Sequence, residues 1–281
     1  MIIWIVSYPK SGNTYLRSFL ASYYYSLDGK FQFDQLAKIP QFPNMKFAKV
    51  KSESNEEASK NWLFNQNEFF KKKDLTLVKT HNCLYPFKGN IFTSINEALG
   101  AIYIVRDPRN IVTSLANFLD ISTTRATDHL IQSSYIGGIS NSNKIEDIMK
   151  TYTGTWGSNF NSWKSFKSNR KYLLIKYEDL ISNKEENFKK ILKFIYKLKN
   201  INFQIDETKI KNVIQSTSFE NMKNLEKEKG FEEARINVET KEKIPFFNLG
   251  PKNEWKKLLD LEIVKKIEKA FKKEMKELEY L

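Results

Sequence analysis

A lysine, a serine and a glycine stand together at residues 10–12, between an apolar run and apolar residues at helical spacing. The segment reads IVSYPKSGNTYLRSF from Ile5 to Phe19. A strand, a tight turn and a helix start, in that order, expose backbone N–H groups at the positive end of the helix dipole. The segment therefore predicts a site for an anion, where the long side chain of Lys10 can reach a phosphate bound by the loop amides.

The order of residues in this loop differs from that of the nucleotide triphosphate loop, G-x-x-x-x-G-K-[ST]. Here Lys10 precedes Gly12, and no glycine stands five residues upstream of Gly12. No apolar strand ends in a clear acidic Mg²⁺ ligand, apart from Asp107 after Arg106. These differences argue against an ATPase and predict no metal site, but a P-loop nucleotide phosphotransferase such as a kinase stays open as an alternative.

His81 follows a second apolar run, in the sequence VKTHNC, and is one of two histidines in the chain. Imidazole titrates near neutral pH, so a histidine at the carboxyl end of a strand suits a general base that accepts a proton from a bound ligand. For an isolated histidine, a loop residue held by hydrogen bonds is the simpler interpretation.

Arg106 and Ser114 lie eight residues apart in YIVRDPRNIVTSL, across a predicted strand-to-helix turn. Both side chains could face one phosphate at the start of that helix. Taken alone, an arginine followed by a serine is weak evidence, since most such pairs are ordinary strand-end and helix residues.

Four short apolar runs, each ended by polar or charged residues, predict buried strands of a parallel sheet, at residues 2–6, 75–78, 101–105 and 172–175. Amphipathic spacing predicts helices between and after them, at residues 14–26, 110–118, 145–166, 184–196 and 261–278. The pattern predicts a doubly wound α/β fold of three layers, with a P-loop-NTPase-like central parallel sheet flanked by helices. In such a fold, ligands bind at the carboxyl ends of the strands.

No repeat and no Gly/Ser/Pro-rich linker divides the chain, so residues 1–281 are expected to form a single domain. Residues 28–74 and 121–143 do not fit the sheet pattern. Insertions beside strand ends form substrate walls or lids, although a flexible surface loop fits the composition equally well. Residues 223–243 are dense in charge and are expected to be solvated or mobile without ligand.

The chain carries a formal net charge of +13, and its 46 basic residues comprise 40 lysines and 6 arginines. Dispersed lysine attracts anions in general, whereas readout of base edges depends on arginine and on localised patches. No specific nucleic-acid partner is therefore predicted, but a non-catalytic polyanion-binding module stays open. The single cysteine, Cys83, permits no internal disulfide and fits a reducing compartment, which predicts a cytoplasmic protein. The N-terminal run MIIWIV is too short for a membrane span, and no later segment is long enough.

The sequence YPKSGNTY resembles the 5′-phosphosulfate loop, YPKSGTTW, of the sulfotransferases that use 3′-phosphoadenosine 5′-phosphosulfate (PAPS). Tyr8 to Gly12 and Thr14 match this loop. Asn13 and Tyr15 replace the threonine and the tryptophan, and Tyr15 keeps an aromatic ring that could still contact adenine. The resemblance implies that the anion is a phosphosulfate.

Further segments resemble the family in the same order along the chain, between residues 5 and 255. Arg106 and Ser114 have the spacing of the family's 3′-phosphate site. Lys79, Thr80 and His81 match its K-T-H segment, in which the histidine is the base and the lysine lies nearby. The segments KYEDL and TSFENMK place Tyr177, Thr217 and Phe219 at positions that line the nucleotide in relatives.

The resemblance implies transfer of a sulfuryl group from PAPS to an acceptor hydroxyl or amine. Lys10, which would stabilise the leaving phosphate, Lys79 and His81 are the expected catalytic residues. The product would be 3′-phosphoadenosine 5′-phosphate (PAP). The expected cofactor-binding residues are Lys10, Ser11, Gly12, Asn13, Thr14, Tyr15, Arg106, Ser114, Tyr177, Thr217, Phe219 and Gly250.

The sequence departs from the family before its last helices. Relatives commonly carry R-K-G-x-x-G-D-W, whereas this chain has NLGPKNEW from residue 248 to residue 255, which keeps Gly250 and Trp255 but lacks the Arg-Lys pair. Arg235, Lys252 and Lys256 are candidates to supply that charge.

A small molecule, a lipid or a carbohydrate is the expected acceptor. The phenylalanines of the first insertion favour an apolar or ring-containing one, and they are Phe31, Phe33, Phe42 and Phe47. The dimer motif of many cytosolic relatives, K-x-x-x-T-V-x-x-x-E, is absent, so no oligomeric state is predicted.

Overall fold

A four-stranded parallel sheet forms the centre of the protein, in the strand order β2-β1-β3-β6. The computed structural model describes residues 1–49, 52, 54–71, 76–132, 134–137, 150–237 and 240–281. Its strands are β1 (Ile2–Ser7), β2 (Thr76–Thr80), β3 (Gly100–Val105), β4 (Ser134–Gly137), β5 (Lys150–Gly154), β6 (Tyr172–Lys176), β7 (Arg235–Ile236) and β8 (Lys243–Ile244). Strands β4 and β5, like β7 and β8, form separate antiparallel pairs.

The central strands are apolar on both faces because helices cover both sides of the sheet. Successive side chains of a strand point to opposite faces. In β1, Trp4 and Val6 belong to one buried cluster, and Ile3 and Ile5 belong to the other. These two cores make the three layers of an α/β fold, which confirms the predicted fold class.

Helices connect and flank the strands. Their bounds are α1 (Asn13–Tyr25), α2 (Asn55–Lys60), α3 (Trp62–Gln66), α4 (Pro108–Leu119), α5 (Thr123–Ile131), α6 (Trp156–Ser162), α7 (Tyr177–Ser182), α8 (Lys184–Lys199), α9 (Glu207–Ser216), α10 (Phe219–Lys229), α11 (Trp255–Leu258), α12 (Leu261–Ala270) and α13 (Lys272–Glu277). Short 3₁₀ helices lie at Phe33–Lys38, Met45–Phe47, Trp163–Lys167 and Gly250–Lys252, and a π-helix lies at Asn67–Lys71. No helix within the described ranges is both long enough and apolar enough to cross a membrane.

The long helix predicted over residues 145–166 is wrong. Residues 145–149 lie outside the described ranges, and β5 then pairs with β4. Gly154 has a left-handed backbone (φ 65°), which ends the strand. Thr155 then begins α6 with a capping box, in which Ser158 N–H donates to Thr155 Oγ1 and Thr155 N–H donates to Ser158 Oγ.

The helix predicted over residues 261–278 is divided in two at Phe271. This residue leaves helical geometry (φ −121°, ψ 25°), and it ends α12 and precedes α13. Its ring is buried and packs 5.1 Å from the ring of Trp156. Amphipathic spacing runs through both helices, so the pattern alone does not reveal the break.

Candidate active site

The loop after β1 has a backbone that favours glycine and exposes the start of α1. Lys10 and Gly12 both have positive φ, 64° and 98°. A Cβ atom on Gly12 would lie 2.4 Å from the ring of Tyr177, so the loop packs against that ring only without a side chain at position 12. Helix α1 begins at Asn13, directly after the turn. The predicted strand, turn and helix start are all present.

Asn13 ties this loop to the end of β1. Its side-chain amide donates to the carbonyl oxygen of Ile5 at 3.1 Å and to Ser7 Oγ at 3.3 Å. Its Oδ1 atom and the hydroxyl of Ser11 are buried without a hydrogen-bond partner among the described residues. Buried polar atoms without partners are costly. The Ser11 hydroxyl can donate, so it indicates a place where a bound anion completes the hydrogen bonding, whereas Asn13 Oδ1 can only accept.

A cavity of about 960 Å³ lies at the carboxyl ends of the central strands. It brings together most of the residues singled out from the sequence, and those in its wall are Lys10, Gly12, Asn13, Thr14, Tyr15, Lys79, His81, Arg106, Ser114, Tyr177, Phe219 and Gly250. Ser11 and Thr217 are completely buried behind this wall. The hydroxyl of Thr217 donates to the carbonyl oxygen of Val213 at 2.7 Å.

His81 lies in the cavity wall, and hydrogen bonding to Ser7 holds its ring in place. Its Nδ1 atom is 2.8 Å from the carbonyl oxygen of Ser7 and 3.2 Å from Ser7 Oγ. Burial and, to a smaller extent, the charge of Lys79 lower the pKa of His81 to about 3. The imidazole is therefore neutral at physiological pH.

Two phenylalanine rings surround the ammonium group of Lys10. Its Nζ atom lies 3.9 Å from the centroid of the Phe246 ring and 4.3 Å from that of Phe118. Burial lowers the pKa of Lys10 to about 7, partly opposed by the charge of Glu233. Burial also lowers the pKa of Lys79, to about 8. Both lysines can therefore gain a proton near neutral pH when an anion enters the cavity.

Arg106 connects the loop after β3 to the loop after β1. Its Nη1 atom donates to the carbonyl oxygen of Lys10 at 3.1 Å, and its guanidinium lies 4.3 Å from the ring centroid of Tyr177. Its Nε atom is buried and has no hydrogen-bond partner in the part of the chain that the structure describes. The pairing of adjacent strands β1 and β3 places these two loops side by side.

Glu233 is a cavity residue that sequence reasoning missed. Thr14 Oγ1 donates to its carboxylate at 3.0 Å, Arg17 Nη1 donates at 2.5 Å, and Lys79 Nζ lies 3.4 Å away. Burial raises the pKa of Glu233, but the charges of Lys79 and Arg17 outweigh it and hold that pKa well below its usual value. Residues 223–243 are expected from the sequence to be solvated or mobile without ligand, and these ion pairs contradict solvation at Glu233. The charged run around Glu233 carries no periodicity that could have indicated the contact.

The segment before Gly250 contributes no positive charge to the cavity. Asn248 and Leu249 line it, and Gly250 (φ 53°) packs so closely that a Cβ atom there would lie 2.4 Å from the ring of Phe219. Arg235 instead donates to the carbonyl oxygen of Phe118 at 3.4 Å.

The cavity wall contains a lysine that is not among the three candidates from the sequence. Lys252 and Lys256 are exposed and, like Arg235, are not part of the cavity lining. Lys184, the first residue of α8, is half-buried and does line the cavity. Sequence reasoning missed it because one lysine among 40 gives no signal.

The phenylalanines of the first insertion are core residues. Phe31 and Phe42 are buried, and Phe33 and Phe47 pack against the two cores. They give no support to an apolar acceptor. The insertion instead contributes polar side chains to the cavity wall, and these belong to Gln41, Asn44 and Lys46.

The chain belongs to the sulfotransferase family. The model of the sulfotransferase domain matches residues 2–279, nearly the whole chain. Rat sulfotransferase 2A6 is 25% identical over 211 residues, which are 73% of this chain and 66% of that protein.

Solved structures have the same fold. Mouse sulfotransferase SULT7A1, complexed with PAP, has a TM-score of 0.61 at 17% identity, over 98% of this chain and 84% of the other. Retinol dehydratase, in complex with androsterone and the inactive cofactor PAP, has a TM-score of 0.60 at 15% identity, over 98% and 80%. The family resemblance inferred from the sequence is thus confirmed.

Proposed function

We propose that this protein is a PAPS-dependent sulfotransferase that transfers a sulfuryl group to a hydroxyl or amine of an acceptor. One observation carries the proposal: a single cavity in a sulfotransferase fold is lined by Lys10, Lys79, His81, Arg106 and Ser114. The solved structures with PAP support the choice of cofactor, since they have the same fold.

The residues of the cavity fit an anionic adenine nucleotide. Lys10, Lys79 and Arg106 supply positive charge, and the start of α1 supplies backbone N–H groups. The unpartnered Ser11 hydroxyl and Arg106 Nε offer donors that no described residue uses. We assign Tyr15, Tyr177, Thr217, Phe219 and Gly250 to the adenosine part of the nucleotide. We assign Lys10, Ser11, Gly12, Asn13, Thr14, Arg106 and Ser114 to the phosphate groups.

When bound, PAPS supplies the sulfuryl group. His81 is neutral, and its Nε2 atom accepts the proton of the acceptor hydroxyl. Lys10 and Lys79 stabilise negative charge on the leaving phosphate, together with the N–H groups from Ser11 to Thr14. These groups already lie in the cavity, and their positive charge and N–H donors let the mechanism proceed without a metal.

The acceptor is proposed as a class only. A small molecule, a lipid or a carbohydrate with a free hydroxyl or amine meets the chemical requirement. The polar side chains of Gln41, Asn44 and Lys46 line the same cavity as the rings of Phe118 and Phe246. No specific nucleic-acid partner is proposed, and a cytoplasmic location stays a prediction.

Nucleotide binding tests the proposal directly. Thermal-shift titration with PAP is expected to raise the melting temperature, whereas ATP with Mg²⁺ is expected to have little effect. A shift with ATP and Mg²⁺ alone would indicate a kinase. Binding to generic DNA with steep salt dependence, and no stabilisation by PAP, would indicate a polyanion-binding module. A PAPS-dependent screen of pooled metabolites by mass spectrometry would then identify the acceptor by its gain of a sulfonate.

A further inference from the structure

The carboxylate of Glu233 contacts two of the residues assigned to the cofactor. Thr14 Oγ1 donates to it at 3.0 Å, and Lys79 Nζ lies 3.4 Å from it. We propose that Glu233 is an internal anion of the free protein, which occupies part of the phosphosulfate site and is displaced when the cofactor binds. This inference rests on the proposed function and adds a residue that sets the affinity for the cofactor.

The hydroxyl of Thr14 cannot donate to Glu233 and to the cofactor at the same time. A threonine hydroxyl has one proton to donate. In the free protein that proton is donated to Glu233, so it is not available to a phosphate oxygen. Binding of the cofactor at Thr14 therefore requires this hydrogen bond to break.

Charge leads to the same conclusion. The Glu233 carboxylate is ionised, because Lys79 and Arg17 hold its pKa well below the usual value. A phosphosulfate bound by Thr14 and Lys79 brings further negative charge next to that carboxylate, and like charges repel strongly where water is scarce. In the free protein, by contrast, the negative charge of Glu233 is favourable. Lys79 and Arg17 are only 5% exposed, and the carboxylate offsets their charge.

The position of Glu233 in the chain permits the displacement. It follows Gly230, which ends α10 with a positive φ of 73°, and it precedes the two-residue strand β7. Its side chain is 25% exposed, so a path to solvent exists. Arg17 also donates to the carbonyl oxygens of Leu36 and Ile39 at 3.0 Å, so it stays in place when the carboxylate leaves.

A neighbouring residue provides a matched control. Glu232 lines the same cavity but is exposed, and it is not among the partners of Thr14, Arg17 or Lys79. Glu233→Gln and Glu232→Gln remove the same charge from adjacent positions. The dissociation constant of PAP, measured by isothermal titration calorimetry, is expected to fall about 10-fold or more in Glu233→Gln. The reason is that a charge-assisted hydrogen bond to Glu233 no longer competes with PAP. In Glu232→Gln it is expected to stay within about 3-fold of the wild type.

A second variant serves if Glu233→Gln does not fold. Glu233→Asp keeps the charge but shortens the side chain, which weakens its hold on Thr14, and it is expected to bind PAP about 3-fold more tightly than the wild type. Unchanged or weaker PAP binding in the Glu233 variants, or an equal gain in Glu232→Gln, would overturn the inference. A fall in kcat with unchanged PAP affinity would also overturn it, since Glu233 would then only position Lys79. A wild-type protein that does not bind PAP would overturn the proposed function itself.

Discussion

The Nδ1 atom of His81 lies 2.8 Å from the carbonyl oxygen of Ser7. A carbonyl oxygen can only accept a hydrogen bond, so Nδ1 carries the proton and donates it. In a neutral imidazole the other nitrogen, Nε2, then has a free lone pair. A peptide carbonyl at the end of β1 thus selects the tautomer that a general base needs.

Replacing His81 by alanine is expected to lower kcat by about two to four orders of magnitude, because the acceptor proton would lose the base we propose for it. The dissociation constant of PAP is expected to stay within about 3-fold of the wild type, since the base acts on the acceptor. Steady-state kinetics and calorimetry separate the two quantities. His129→Ala is the control, because His129 lies on α5 outside the cavity lining. Near-normal turnover in His81→Ala would refute the assigned role.

Lys10 is expected to couple PAP binding to proton uptake. Its pKa is lowered to about 7 in the free protein, and a bound phosphate raises it again. Between about pH 7 and pH 9 the complex then holds more protons than the free protein, so the affinity for PAP falls as pH rises. Calorimetry at pH 8 in buffers of different ionisation enthalpy measures the uptake, part of which Lys79 supplies because its pKa is about 8.

Lys10→Met is expected to reduce this proton uptake. Because we assign Lys10 to the leaving phosphate as well, its replacement should lower kcat by about two to four orders of magnitude. Proton uptake equal to that of the wild type would show that Lys10 does not respond to the nucleotide.

Gly12 and Gly89 form a matched pair that separates backbone strain from steric conflict. Both have positive φ, 98° and 82°. A Cβ atom on Gly12 would lie 2.4 Å from the Tyr177 ring, whereas one on Gly89 would have no atom of a described residue within 4 Å. Gly89→Ala is expected to lower the free energy of unfolding by about 1 kcal/mol through strain alone. Gly12→Ala is expected to lower it by about 2–4 kcal/mol and to weaken PAP binding at least 10-fold, because the loop or the ring must move. Urea unfolding and calorimetry provide these values, and equal effects at the two sites would contradict the packing argument.

Lys184 is expected to supply part of the charge that relatives place before Gly250. Lys184→Ala should raise the dissociation constant of PAP about 3–10-fold, in proportion to the loss of one partly screened cation. Lys193→Ala is the control, because Lys193 is an exposed residue of the same helix, α8, and does not line the cavity. An equal effect of both substitutions would mean that only overall charge matters.

The sequence predicted the residues that directly follow strands. Lys10, His81 and Arg106 each stand one to four residues beyond an apolar run, and a parallel sheet places such positions at one edge. Their convergence in one cavity thus follows from local patterns and a general rule of topology.

Glu233 and Lys184 could not be predicted in this way. Glu233 lies in a segment without hydrophobic periodicity, and Lys184 is the first residue of a helix. Their contacts depend on how distant segments pack. The same holds for residues 145–166, where Gly154 and the Thr155 cap interrupt a stretch that has helical spacing.

Strands β1 and β3 are adjacent, with Val6 paired to Tyr103 and Ser7 paired to Ile104. The two loops assigned to phosphate binding therefore start about 4.8 Å apart and are joined by a ladder of hydrogen bonds that cannot stretch. The site should consequently distinguish where negative charge lies on a nucleotide, and not only how much there is. Adenosine 2′,5′-bisphosphate, an isomer of PAP with equal charge, is expected to bind at least about 10-fold more weakly in calorimetry. Such selectivity would originate in the geometry of the sheet. No single side chain in the cavity could provide it alone.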